Sequence, residues 1–190
     1  MDKLLIHPWT EALTGKKKLK ILEVCSGVEF GSVAIAKLLS EKKIKSEMVM
    51  VDLRETALKK AKTWGKELGI DNIKTVAMDA ADVYKLKDTF DIVLMYGLST
   101  PHFNPWQLER LFASVAQVLD DKGIFVVDEF DRRYTIFLKN NYQWALAESD
   151  EDKFCLSFHT GYNLKRGTFK RTHVSFSKTP IKPVEIETFM

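Results

Sequence analysis

Leu22-Glu23-Val24-Cys25-Ser26-Gly27-Val28-Glu29-Phe30-Gly31 decides how this chain folds. It sets an apolar strand, an acid at the strand end, a turn of small residues and a helix start in direct succession. Lys18–Val24 reads as a buried parallel strand, and Val33, Ile35, Ala36, Leu38 and Leu39 follow at roughly helical spacing. The small residues between them therefore form a strand-to-helix turn, where a ligand can come close to the backbone. About twenty residues beyond Gly31, the strand Met48-Val49-Met50-Val51 ends in Asp52, a carboxylate placed to accept hydrogen bonds from two ribose hydroxyls. Two strand-end acids around one small-residue turn point to an adenosine-containing ligand.

Outward from this turn the pattern alternates strand and helix as far as Asp128. Residues 54–68 place Ala57, Leu58, Ala61, Trp64, Gly65 and Leu68 at i, i+3, i+4 intervals, with Gly69 as the C-terminal cap. Residues 73–78 predict a third strand ending in Asp79, and 80–87 a short helix or irregular crossover. Residues 90–96 predict a fourth strand, whose Ile92-Val93-Leu94-Met95 run suits burial on both faces. After a loop over 97–103, Asn104 is the N-cap and Pro105 the first residue of a helix with Trp106, Leu108, Leu111, Phe112, Val115, Val118 and Leu119 as its buried stripe. Asp121-Lys122-Gly123 turns the chain into a fifth strand over 124–127. Such alternation implies a parallel sheet covered on both faces, with right-handed crossovers. In the last third, 132–147 predicts a helix, and 154–158 with 168–176 predict two strands joined around Gly161 and Gly167 as a long hairpin. One domain is expected over 1–190: an N-terminal arm (1–17), a βα core (18–130) and a C-terminal helix and hairpin (131–178).

A dinucleotide site asks for G-x-G-x-x-G, so that backbone N–H groups cradle a pyrophosphate. Here Cys25 stands at the first glycine, and Glu29 falls near the helix start, where a carboxylate repels phosphate. S-adenosylmethionine carries no phosphate; its sulfonium and ammonium are cations that Glu23 and Glu29 attract. In these residues the chain resembles the class I S-adenosylmethionine-dependent methyltransferases, whose first motif is roughly E/D-x-G-x-G-x-G. The match holds at Glu23 and Gly27 and fails at Cys25 and Glu29, and Gly31 supplies a glycine two positions late. The strand-turn-strand ending resembles the antiparallel hairpin that closes the sheet of that family, so the likeness spans nearly all of 18–177, through order of elements more than sharp motifs. It implies an α/β fold: a three-layer α-β-α sandwich with a seven-stranded, mostly parallel sheet closed by a C-terminal antiparallel hairpin. It also implies S-adenosylmethionine as cofactor, held by Glu23, Cys25, Ser26, Gly27 and Gly31 around the first turn, by Asp52 and Leu53 after the second strand, and by Asp79 and Ala80 after the third.

Plainer roles are open to several of these residues. Asp52 is a ribose acceptor or the cap of a helix beginning near Glu55; Asp79 meets the adenine amino group or caps the next helix. Glu23 ends a fully apolar strand, where an uncompensated charge is costly, so a cationic ligand or nearby backbone amides must meet it. Tyr96-Gly97-Leu98-Ser99-Thr100-Pro101-His102-Phe103-Asn104 follows the fourth strand, the place at which the resemblance implies the transferable methyl. Tyr96 and His102 are its candidate catalytic residues: His102 is a general base, the role for which an unperturbed imidazole is suited, or a surface residue at a helix entry. The loop lacks the N-P-P-Y or D-P-P-Y signature by which DNA and many RNA amino-methyltransferases hold a nitrogen. Asp128, Glu129 and Asp131 orient a basic or hydroxylated substrate or chelate an ion, or they are caps and surface ion pairs, and their spacing offers too few ligands to predict a metal. Lys165, Arg166, Lys170 and Arg171 around Phe169 hold a polyanion or protect a hairpin edge. Leu4-Leu5-Ile6-His7-Pro8-Trp9 folds over the cofactor or covers the sheet edge.

At 190 residues, 45% of them hydrophobic, the chain can bury one substantial core. Its 29 basic against 26 acidic residues leave a net charge of +3, which neither demands nor excludes RNA. Cys25 and Cys155 have no metal-ligand spacing, the N-terminus carries no apolar signal segment, and no run approaches the ~18 apolar residues of a membrane span. A reduced, cytoplasmic chain with no membrane partner is expected. The expected reaction is methyl transfer to an oxygen or nitrogen of an acceptor, a small molecule ahead of RNA or protein. Its rivals are a non-catalytic binding or regulatory protein of the same fold and an NAD-dependent oxidoreductase. Acceptor and oligomeric state are not legible.

Overall fold

The computed structural model describes residues 7–10, 13, 15–28, 31–129, 131, 134–139, 145–150, 153–177 and 179–189. The chain divides into two compact units, residues 1–99 with 105–128, and residues 100–104 with 129–190.

The first unit is built from β1 (Lys18–Val24), α1 (Gly31–Glu41), β2 (Lys45–Asp52), α2 (Glu55–Glu67), β3 (Ile73–Ala77), a 3-10 helix (Ala80–Leu86), β4 (Phe90–Met95), α3 (Pro105–Val118) and β5 (Leu119–Val127). Its strands are all parallel, in the order β3-β2-β1-β4-β5. The order reverses between β1 and β4. Right-handed crossovers accordingly put α1 and α2 on one face and the later helices on the other, and the carboxyl ends of β1 and β4 flank the switch point where ligands of such sheets bind. On the α1 face, Leu19 and Ile21 join Met48, Met50, Ile92 and Leu94 beneath Val33, Ile35, Leu39, Leu58 and Ala61 in one buried cluster. Each Val, Leu, Ile or Met side chain among them, fully buried, contributes roughly 1.5–3 kcal/mol. α3 docks on the 3-10 helix, where the Tyr84 N–H donates to the Ser114 hydroxyl (2.9 Å). At the amino end of β4 the buried acid Asp91 is a structural group: it pairs with Lys16 and accepts from the Lys20 N–H (2.7 Å). The Asp121-Lys122-Gly123 turn lies inside β5, where the pairing with β4 shifts register between Phe90 and Ile92.

The second unit holds a 3-10 turn (Thr100–His102), a π-helical segment (Tyr134–Lys139) and an antiparallel sheet of four strands, β6 (Ala145–Asp150), β7 (Lys153–Asn163), β8 (Thr168–Ser175) and β9 (Val184–Phe189), in sequence order. The expected hairpin is present as β7–β8, with Gly167 at φ +65° in its turn and a register shift beside Gly161. Two expectations are corrected. The parallel sheet has five strands rather than seven, and the hairpin does not close it, because both hairpin edges are taken within the second unit: Ala147 pairs with Leu156, and Ile186 with Arg171. The helix expected over 132–147 is also revised. Among its described residues, 134–139 are π-helical and 145–147 belong to β6, where pairing with β7 overrides the helical pattern. The basic hairpin cluster has lost its aromatic platform, since Phe169 is buried, and Arg166 is paired with Glu187 (3.2 Å).

None of the described helices is long and apolar enough to cross a membrane. Of the N-terminal arm, residues 1–6 lie outside the described residues; Pro8–Thr10 form a 3-10 turn with Trp9 exposed.

Candidate functional site

The turn after β1 is made by two left-handed residues, Cys25 (φ +56°) and Gly27 (φ +59°), and is tied to β2 by the Ser26 N–H donating to the Val51 carbonyl (3.0 Å). Gly27 adopts this conformation freely, whereas a residue with a Cβ such as Cys25 pays about 1–2 kcal/mol. The backbone thus keeps a glycine-like shape where the side chain departs from the motif. The Cys25 thiol is pushed up to about 12, chiefly by burial and further by the charges of Asp52 and Asp79. It stays protonated at neutral pH and is no nucleophile. The Ser26 hydroxyl is buried with no hydrogen-bond partner among the described residues, a polar atom that a ligand at this turn would satisfy. Glu29 lies outside the described residues.

Asp52 joins the second strand to this turn. Its Oδ2 accepts from the Gly27 N–H (2.8 Å), and its Oδ1 accepts from the Arg54 N–H (2.9 Å) and from Arg54 Nε (3.0 Å). Burial by itself would raise the carboxyl, but the Arg54 and Gly27 hydrogen bonds outweigh it and hold it below its ordinary 3.8. Asp52 does not cap α2: Arg54 occupies the N-cap position, with no side-chain cap bond. Asp79, by contrast, does cap, its Oδ1 accepting from the Ala81 N–H (2.9 Å), with Ala80 buried behind it. Leu53 and Val28 present apolar side chains to solvent, Leu53 at 74% exposure.

Glu23 is 0% exposed. Its Oε2 accepts from the Ser32 N–H (3.0 Å) and from the Ser32 hydroxyl, so an acid from β1 satisfies donors in the first turn of α1 that have no partner within the helix. The backbone amide, one of the two partners open to a buried acid here, meets Oε2. The late glycine has its reason at the same place: a Cβ at Gly31 would lie 2.5 Å from Glu23 Oε1 and 3.1 Å from the Tyr96 Cβ. Gly31 therefore lets the ends of β1 and β4 approach the start of α1.

Beyond Tyr96, Gly97 (φ +101°) and Leu98 (φ +58°) turn the chain, and the Leu98 N–H donates to Asp128 Oδ1 (3.1 Å). Asp128 thus holds the loop. In the second unit, Glu129 bonds the Thr100 hydroxyl and Asp131 accepts from the Tyr134 N–H (2.8 Å), so these acids serve the backbone and loop side chains. No group of three or more potential metal ligands occurs among the described residues. His102 is exposed at the end of the 3-10 turn in the second unit. Sequence reasoning missed Ser32 and Arg54. A signal for Arg54 existed, since a cation in the first turn of a helix opposes the helix dipole and asks for a local reason. A groove of ≈ 700 Å³ bordered by Ser40, Lys45, Gly69 and Asn72 lies at the amino end of β2 and contains none of these residues.

A family model described as a methyltransferase domain matches residues 21–123, more than half of the chain. No curated protein matches it. Among solved structures it is similar to an S-adenosylmethionine-dependent methyltransferase from Clostridium acetobutylicum ATCC 824, at 15% identity and a TM-score of 0.66 over 93% of this chain and 68% of that one. The sugar N-methyltransferase KedS8 from Streptoalloteichus sp ATCC 53650 gives 16% identity and a TM-score of 0.62 over 96% and 69%. The CcbJ methyltransferase from Streptomyces caelestis gives 14% and 0.65 over 96% and 70%. At such identities the likeness is one of fold.

Proposed function

We propose that this chain, which belongs to the class I S-adenosylmethionine-dependent methyltransferases, transfers the methyl group of its cofactor to an oxygen or nitrogen of a small acceptor molecule. The observation that carries the reading is the Gly27 turn at the switch point, with the ionised Asp52 bonded to its backbone and the Ser26 hydroxyl buried within it. When bound, the cofactor supplies a methyl group already activated on a sulfonium. The chain's own work is therefore placement, and proximity effects reach roughly 7–11 kcal/mol in well-oriented cases. In this reading Asp52 orients the ribose, Leu53 covers the adenine, Asp79 and Ala80 lie at its edge, and Glu23 faces the cationic end of the ligand across Gly31. Tyr96 stands at the end of β4, where the acceptor must arrive. A small acceptor is favoured because the basic cluster around Phe169 expected to hold a polyanion is not assembled as such, Phe169 being buried and Arg166 paired with Glu187. The sugar N-methyltransferase named above is a structural neighbour of the kind this reading expects.

The test is thermal unfolding with saturating ligand. At a hundred times its Kd, S-adenosylhomocysteine contributes about 2.7 kcal/mol, a rise of roughly 5–10 °C for a chain of this size, and NAD gives none. A rise with NAD and none with S-adenosylhomocysteine would overturn the reading. Methyl incorporation into a panel of small alcohols and amines, set beside RNA, then tests the acceptor class. In the same assay His102→Ala assigns the loop: lower turnover and an altered pH–rate profile with cofactor affinity kept make His102 the base, and an unaltered profile leaves alignment by Tyr96 and its neighbours.

A further inference from the structure

An ionised carboxylate has two oxygens and about four lone-pair positions. At Asp52 four N–H donors address them. Oδ1 receives the Arg54 N–H (2.9 Å) and Arg54 Nε (3.0 Å); Oδ2 receives the Gly27 N–H (2.8 Å) and, at 3.4 Å, Arg54 Nη2. Two of the four are backbone groups, fixed by the β1–α1 turn and by the start of α2. The other two belong to a single guanidinium, one on each oxygen. A ribose diol also brings two donors, and it too must place one on each oxygen.

We propose that Arg54 is a built-in competitor for the ribose: its guanidinium stands, donor for donor, where the two hydroxyls bind, and it swings out as the cofactor enters. This inference rests on Asp52 being the ribose acceptor. Three observations carry it beyond the count of donors. The Arg54 side chain is 68% exposed against 7% for Asp52, so the arginine can leave while the acid stays. No other hydrogen-bond or ion-pair partner holds the Arg54 side chain among the described residues. Its position at the N-cap of α2 gives that helix no side-chain cap bond and sets a cation against the helix dipole, so α2 does not need it there. The backbone bonds from Gly27 and Arg54 to Asp52 survive the swing, which keeps the carboxylate aimed. Apparent cofactor affinity is then reduced by the fraction of chains in which the guanidinium is displaced, so Arg54 sets how tightly this site holds its ligand.

Calorimetric titration with S-adenosylhomocysteine and with its 2′,3′-dideoxy analogue tests this on the full chain. Arg54→Ala is expected to bind S-adenosylhomocysteine roughly three- to tenfold more tightly, the range for losing a partly exposed ion pair with charged hydrogen bonds. The dideoxy analogue, which brings no diol, should bind wild type and variant alike. Arg54→Met, which keeps the length of the stem, should give the same gain. Unchanged or weaker S-adenosylhomocysteine binding in both variants, or an equal gain for the two ligands, would overturn the competition. Asp52→Ala separates this from the underlying assignment: unchanged affinity in that variant would remove Asp52 as ribose acceptor, whereas weakened affinity beside an unresponsive Arg54→Ala would remove only the competitor.

Discussion

Asp52→Ala is expected to weaken S-adenosylhomocysteine binding by about 1.5–3 kcal/mol, roughly 10- to 150-fold, the range for hydrogen bonds to a charged group. The substitution removes the ribose acceptor and also the Oδ2 that tethers the Gly27 N–H, so turn geometry and ligand contact fail together. Titration calorimetry measures the loss; wild-type affinity in a folded variant would reduce Asp52 to a brace for the turn. The same residue has a signature in pH. Its carboxyl is held below 3.8 in the folded chain, so its contribution to stability is present above about pH 4 and is lost as pH falls through the depressed value. Asp52→Asn, which keeps an acceptor and does not titrate, should flatten that acid limb. An acid limb identical to wild type would show that the Arg54 and Gly27 bonds do not hold the carboxyl in solution.

Glu23→Ala is expected to cost roughly 2–5 kcal/mol of stability, because it leaves the Ser32 N–H and hydroxyl facing a small cavity at the start of α1, each at ~1–3 kcal/mol. Glu23→Gln, with an amide oxygen still able to accept, should recover much of the loss. Gly31→Ala approaches the same contact from the other side, driving a Cβ to 2.5 Å from Glu23 Oε1. Here the acid cannot give way, since it is fully buried and bonded to Ser32. Denaturant unfolding of the three variants measures the costs, and a Glu23→Ala chain as stable as wild type would exclude the acid as the anchor of α1.

Much of the first unit was legible in the sequence, because its signals are local. Apolar runs of strand length, helical spacing between them, and small residues at the β1–α1 turn depend on neighbours a few positions away, and they placed Asp52 and Asp79 at strand ends before any contact was known. Whether those two acids cap or bridge depends on which backbone N–H comes within about 3 Å. Asp79 finds that of Ala81 two residues on; Asp52 finds that of Arg54 two residues on and also that of Gly27, twenty-five residues back. No pattern around Asp52 contains Gly27. The same limit applies to 132–147, whose spacing suits a helix until β7 offers Ala145 and Ala147 a partner. It applies again to Gly31, two positions late by the motif and in place only once Glu23 Oε1 is seen against it. Local chemistry determined which elements form and where their acids stand. Only the tertiary structure decided which donor each acid meets, because a hydrogen bond is satisfied by distance in space and takes no account of separation along the chain.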